Sequence, residues 1–317
     1  MSSRPSRIAF GVTVPQIKRG WDEARAAACE FEQLGFDSLW VNDHLYGVPL
    51  PNVPIFESWT LLSAIGAVTS RAELGTLVSP PGFRNPALHA KMAATLDRIT
   101  GGRVIVGLGA GWFEMEFRGY GYSFPPVRDR LAQLREAAQL MKQVWAEPGA
   151  SFTGTWFRTD AIVCEPAPVR IPPILIGGGG ERVLLRIAAE CADIWNNLAV
   201  HQGELARKVE CLHAHCDAIG RDPAEIVISQ QTVVVIGSDG TEARRQLEKA
   251  SRIYGGHLGD IERHGIWGDA AQVIDRIQRQ VDAGCRMFVI EFFGKDTREP
   301  ARLFAEKVLP AFRGTAR

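Results

Sequence analysis

From Ile8 to Phe312 the chain repeats one unit, a short β-branched apolar run followed by a longer amphipathic stretch. This switch between two periodicities constrains the fold more than any other feature. It predicts strands at Ile8–Val14, Ser38–Val41, Glu73–Val78, Arg103–Gly107, Ile174–Ile176, Asp193–Asn196, within Glu225–Ile236 and at Arg286–Phe293. Helical patterns fall near Trp21–Gln33, Glu57–Ser70, Arg128–Trp145 and Pro300–Phe312, and Asn85-Pro86 opens another with a cap residue and a first-turn proline. The strands are apolar throughout rather than alternating, as in a parallel sheet whose outer side is covered by helices. Eight such units fit an α/β fold, the (β/α)8 TIM barrel. Residues 147–170 break the rhythm, and Phe152, Trp156 and Phe157 around Thr153-Gly154-Thr155 read as a β-hairpin inserted between the fourth helix and the fifth strand. No linker, repeat or low-complexity stretch marks a boundary, so one domain over residues 1–317 is expected.

An open doubly wound sheet is the rival, and its fingerprint tests it. In Gly107-Leu108-Gly109-Ala110-Gly111-Trp112 the third glycine of G-x-G-x-x-G falls on Trp112, and the run Gly177–Gly180 misses it at Arg182 or Val183. Neither run is followed by the Gly-Lys-Ser/Thr of a P-loop.

Several function classes drop out on charge and patterning. The 36 Lys and Arg residues equal the 36 Asp and Glu, so no basic excess drives binding to nucleic acid. Met1–Arg7 leads into a strand pattern without a long apolar core, and charge-free stretches such as Ser58 to Ser70 are shorter than a membrane span. A soluble, cytoplasmic protein without a membrane or nucleic-acid partner is expected. A proline-rich loop is read at Leu50–Pro54. The six cysteines show no disulfide spacing. Cys211, His213, His215 and Cys216 cluster, but helical spacing puts only Cys211 and His215 on one face, so a plain helix is expected and no metal.

A barrel binds ligands at the carboxyl ends of its strands. Those ends carry Pro15-Gln16, Asn42-Asp43-His44, Ser79, Gly109–Trp112, Gly177–Gly180, Trp195-Asn196-Asn197, Gln230-Gln231 and Glu291. Asp43-His44 is the sharpest acid/base candidate, because histidine titrates near neutrality and a neighbouring acid tunes it. Gly177, Gly178, Gly179 and Gly180 precede a helix, where close backbone approach and exposed amides favour an anion. Periodicity alone makes Trp112 and Trp195 core, though either could wall a planar ligand. Glu114 and Glu116 read as a solvated helix start.

Six segments carry a family resemblance: LGFDSLWVNDHL (34–45), LGTLV (74–78), RNPALHAKMAATLDRITGG (84–102), VGLGAGWFEMEFR (106–118), YGYSFPPVR (120–128) and PPILIGGGGERVLLRIAAECADIWNN (172–197). Together, in this order, they resemble the luciferase-like monooxygenase superfamily in its coenzyme F420-dependent oxidoreductase branch. The resemblance implies a flavin-type ring at the barrel mouth, with Asp43 and His44 beside it as the catalytic pair. It implies a bulge, often with a non-prolyl cis peptide, around Val78-Ser79, so that Thr76, Val78 and Ser79 back the ring. Gly109, Gly111 and Trp112 would flank the ring, Gly177, Gly178, Gly179 and Gly180 would take the cofactor phosphate, and Trp195 and Asn196 would lie nearby. Where sugar-phosphate-oxidising members carry a proton-donating glutamate this chain has Trp112, which favours a more apolar substrate. Hydride transfer between the deazaflavin C5 and a small organic substrate, with His44 handling the proton, is the expected activity. An FMN-dependent monooxygenase fed by a separate reductase is the alternative, and a non-catalytic binding barrel the third reading. The hairpin and residues 254–267 are expected to cover the mouth, and the resemblance admits a homodimer.

Overall fold

The computed structural model describes residues 7–48 and 51–313; the amino-terminal segment read for a leader and Leu50 of the proline-rich loop lie outside the described residues, apart from Arg7. In chain order the elements are β1 (Ala9–Thr13), α1 (Trp21–Gln33), β2 (Ser38–Val41), α2 (Ser58–Val68), β3 (Glu73–Thr76), α3 (Pro86–Thr100) and β4 (Val104–Leu108). They continue with α4 (Glu114–Gly119), α5 (Val127–Ala146), β5 (Ala150–Thr153), β6 (Arg158–Ile162), β7 (Ile174–Gly177), α6 (Leu184–Cys191) and β8 (Ile194–Asn197). The last third holds α7 (Leu205–Ala218), β9 (Val227–Ile236), α8 (Gly240–Tyr254), α9 (Ile261–His264), β10 (Ile266–Gly268), α10 (Ala270–Asp282), β11 (Met287–Phe292), α11 (Arg298–Lys307) and α12 (Leu309–Phe312).

The strand order β11-β1-β2-β3-β4-β7-β8-β9 closes on itself through β9–β11 and is parallel at every step. The eight-stranded (β/α)8 barrel expected from the periodicity is therefore present. Alternation divides each strand between two apolar regions. Trp40, Leu77, Ile105, Leu175, Ile194, Met287 and Val289 fill the interior. Their neighbours Leu39, Val41, Leu74, Val104, Ile174, Ile176 and Phe288 join the larger shell between barrel and helices. Both faces are apolar, which is why no alternation showed in the sequence.

Local chemistry sets several element ends. Asn85 accepts from the Ala87 N–H ahead of Pro86, and Gly101, at φ 70°, stops α3 in the left-handed region. Asp269 and Gln272 form a reciprocal capping box at α10. The closing helix is two pieces, α11 and α12, because Pro310 follows directly on Val308-Leu309.

Two features lie outside the eight-unit reading. Strand β10 pairs in parallel with Val234–Ile236, extending the sheet past the end of β8. Antiparallel β5 and β6 form a hairpin after α5, and the Glu136 carboxylate of α5 accepts the Thr155, Trp156 and Phe157 N–H groups of its turn. That bonding corrects the expected cover: the hairpin lies along the flank of α5 and leads into the amino-terminal end of β7, away from the mouth.

Candidate active site

His44 sits three residues beyond β2, and its Nδ1 lies 2.9 Å from Glu116 Oε1. The other carboxylate oxygen of Glu116 accepts the Leu45 N–H at 2.8 Å and the Tyr46 N–H at 3.4 Å. With the other Glu116 oxygen already accepting two backbone N–H groups, Oε1 is placed to accept from His44 Nδ1, which leaves Nε2 as the free end of the ring. The glutamate side chain is 2% exposed against 20% for the imidazole, so the pair has a buried anchor and an accessible working end. Glu116 is thus not part of a solvated helix start, as the sequence suggested. Two residues apart on α4, Glu114 and Glu116 point about 200° apart around the axis, so only Glu114 faces water, in an ion pair with Arg118.

Asp43 turns the other way. Its carboxylate is fully enclosed, accepting from Arg84 Nη1 at 2.6 Å and Nη2 at 3.2 Å, and from Ser79 Oγ. Both Asp43 oxygens are engaged by Arg84 and Ser79, while Glu116 rather than Asp43 contacts the His44 imidazole. Arg84 also pairs with Glu57, which caps α2 through the Trp59 and Thr60 N–H groups. Burial works against the Arg84 charge, but Asp43 and then Glu57 outweigh it and raise its pKa. Burial likewise opposes the Glu57 charge, yet Thr60 and Arg84 leave its carboxyl below the usual range. Behind this group lies His89, edge-on to Trp59 at 4.7 Å with its Nε2 unpartnered. Burial first, and the nearby Arg84 second, push its pKa down to about 4.

The end of β3 joins these groups to the barrel wall. Ser79 Oγ bonds Thr76 Oγ1 and accepts the Trp59 Nε1–H, while Thr76 Oγ1 donates to the Gly107 carbonyl. The Leu77–Val78 peptide is cis, one bond before the Val78-Ser79 position expected. Leu77 N–H still bonds β2 at Val41 and Ser79 N–H bonds Gly107 of β4, so the reversal falls between those ladder bonds, at Val78. The Val78 side chain fills the space that β-carbons on Gly109 and Gly177 would need, at 2.4 and 2.8 Å. Those two glycines therefore admit Val78 to the barrel end. At Gly111, φ is 75° and the Phe117 ring and Pro80 close in.

The glycine-rich run past β7 divides by role. Gly178, at φ 140°, donates to the Asn196 carbonyl and accepts from Trp195 Nε1 at 2.9 Å. Gly179 lies under the His201 ring and its carbonyl accepts from Lys208 Nζ at 2.6 Å. Gly180 is the open one, where an added β-carbon would meet only Leu184 Cβ at 3.6 Å. Beside the loop, Asn196 Oδ1 accepts from Ser229 Oγ while its buried Nδ2 has no partner, and Asn197 Oδ1 is equally unpartnered. The unpaired donor Asn196 Nδ2 beside an open glycine backbone fits a phosphate, whereas the acceptor Asn197 Oδ1 would need a donor from a ligand.

The two tryptophans part company. Trp195 is fully buried in the outer shell, on the helix side of β8, and reaches the loop only through its Nε1, so it does not line the mouth. Trp112 is 54% exposed, edge-on to His44 at 5.9 Å and stacked on Phe113 at 5.3 Å. Core burial, which periodicity favoured for both, holds for one. Glu116, Glu57, His89 and Arg84 as the Asp43 partner were missed. Cys211 Sγ and His215 Nε2 both contact the Glu181 carbonyl from α7, which joins that helix to the loop after β7.

Known proteins fit this frame. The chain is 28% identical to an F420-dependent glucose-6-phosphate dehydrogenase of Intrasporangium calvum, across 89% of this chain and 92% of that one. It is 31% identical to an F420-dependent hydroxymycolic acid dehydrogenase of Mycobacterium tuberculosis, over 76% of this chain and 66% of that one. A solved F420-dependent secondary alcohol dehydrogenase, in complex with an F420–acetone adduct, superposes with a TM-score of 0.85 at 22% identity, covering 97% of this chain and 100% of that one. The family model for luciferase-like monooxygenases matches residues 5–262, well over half of the sequence, and the chain belongs to that family.

Proposed function

We propose that the chain is a coenzyme F420-dependent oxidoreductase that transfers a hydride between the deazaflavin C5 and a small organic substrate. The observation that carries this is the His44–Glu116 pair, buried at one end and open at the other, at the mouth of a barrel whose full-length relatives are F420-dependent dehydrogenases. The bound deazaflavin supplies a two-electron acceptor or donor. The glycine loop 177–180, open at Gly180, and the unpartnered Asn196 Nδ2 would receive its phosphate side, and Val78 and Trp112 would flank the ring. His44 Nε2 takes the proton of a substrate hydroxyl, or returns one to a carbonyl oxygen, while Glu116 holds the tautomer and steadies the imidazolium. Asp43 acts as a positioning residue that locks Arg84 and Ser79, and through them the end of β3. Trp112 gives the substrate side an apolar wall, which suits a neutral alcohol or ketone.

Titration with oxidised coenzyme F420 and, separately, FMN, followed by absorbance and fluorescence at fixed salt, tests the reading. Tight binding of the deazaflavin with no oxygen consumption is expected; preference for FMN would transfer the protein to the monooxygenase alternative. His44→Ala should lower turnover by ~10²–10⁴-fold while cofactor affinity stays within a few-fold. Equal loss of both would reduce His44 to a lining residue.

A further inference from the structure

A second acidic group stands at the same mouth. Glu291 is the fifth residue of β11, two beyond Val289, which packs inside the barrel with Met287, so its side chain is directed to the interior at the carboxyl end. β11 lies next to β1, and β1 next to β2, the strand that delivers His44. The hydroxyl of Tyr254, the last residue of α8, donates to Glu291 Oε1 at 2.5 Å. Among the described residues no lysine, arginine or histidine pairs with this carboxyl, whereas the cations near the mouth are engaged elsewhere: Arg84 by Asp43 and Glu57, Lys208 by Glu181, Glu204 and the Gly179 carbonyl. Burial pushes the Glu291 carboxyl up, offset in part by the Tyr254 hydroxyl. Tyr254 itself is anchored, its ring edge-on to Phe293 at 6.0 Å and packed with Val233, Val235 and Leu247.

A carboxyl keeps an acceptor oxygen whether or not it is ionised, and Tyr254 uses only part of its capacity. A hydroxyl or amine of a substrate can donate to it. A phosphate ester, bringing its own negative charge to an acid that no cation pairs with among the described residues, gains nothing and is repelled whenever that acid ionises.

We propose that Glu291, oriented by Tyr254, is a specificity-determining residue that accepts a hydrogen bond from an uncharged or cationic substrate and turns away phosphate esters. The proposal rests on the oxidoreductase reading above and names the substrate class for it. It separates this chain from the glucose-6-phosphate dehydrogenases that it resembles in sequence.

The test uses the full chain loaded with coenzyme F420 and two probes, cyclohexanol and glucose 6-phosphate, each titrated against the fluorescence of the bound cofactor. Wild type, Glu291→Gln, Glu291→Lys and Tyr254→Phe are compared, with cofactor affinity as the check on folding. The proposal expects Glu291→Lys to bind glucose 6-phosphate at least about tenfold more tightly than wild type, with Glu291→Gln moving the same way by less. Tyr254→Phe should weaken cyclohexanol and leave cofactor affinity unchanged. Should Glu291→Lys fail to load cofactor, Glu291→Gln decides alone. Cofactor-loaded variants that gain no affinity for the phosphate ester overturn the proposal and leave the oxidoreductase reading standing. A wild-type chain that takes up no coenzyme F420 overturns both.

Discussion

His44, Glu116 and His89 show how differently three buried or half-buried titratable groups are used. Glu116 works only through His44, so Glu116→Ala should lower kcat by about tenfold or more with little change in cofactor affinity. A fall in cofactor affinity matching the fall in kcat would show that the glutamate merely holds α4 in place. His89 has no accessible function in this geometry, but it couples stability to pH. Its pKa drops from 6.5 to about 4 on folding, so between those values the unfolded chain binds the extra proton and acid destabilises the fold. The loss amounts to roughly 3 kcal/mol once pH has fallen through that window, absent above it and complete below it. Urea unfolding at pH 7 and pH 4 measures it, and His89→Phe should flatten the difference; an unchanged acid limb in that variant would assign the loss to other groups. The sequence made the histidine at the end of β2 legible but not its partner, because Glu116 lies 72 residues away. The readable sign was the spacing of Glu114 and Glu116, since a two-residue offset cannot leave both acids on one exposed face of a helix.

At the scale of elements, the glycines around Val78 divide the barrel end into positions that tolerate a side chain and positions that do not. A β-carbon at Gly107 would fall 1.8 Å from the Thr76 carbonyl oxygen, a backbone atom on the neighbouring strand that cannot rotate away. Gly107→Ala should cost about 3 kcal/mol or more, or prevent folding. Gly240, at the start of α8, has nothing within 4 Å, and Gly240→Ala should be neutral or stabilise by about 0.4–1 kcal/mol. Chemical denaturation of the two variants side by side checks both, and comparable stabilities would overturn this account of the wall. Strands and helices of the barrel were readable because each carries its own period. The role of Gly109 and Gly177 was not, because the side chain they make room for, Val78, comes from the bend just past β3. β10 was missed for a similar reason: Ile266–Gly268 is three residues long and gains its identity only by pairing with β9.

Taken whole, the molecule is a ring of strands joined between its first and last members. Phe10 of β1 stacks on Phe288 of β11 at 5.5 Å, and Phe304 of α11 covers the joint, meeting Phe10 at 5.6 Å, Phe36 at 6.1 Å and Phe292 at 5.3 Å. Phe304→Ala should therefore cost ~3–5 kcal/mol, read from the urea midpoint at unchanged m-value. A penalty under about 1 kcal/mol would mean that the joint is held by backbone pairing alone. No helix of the described residues is long and apolar enough to cross a membrane. The same joint governs how the protein is made. Ala9–Val12 pair with Met287–Ile290, so the first strand to leave the ribosome waits for almost the last before one edge is covered. At ~5–20 residues per second that wait is on the order of 15–55 s, during which an apolar strand edge is open to any other chain. Until β11 arrives, the exposed edge of β1 is the place where two unfinished chains could pair with each other instead of closing their own rings.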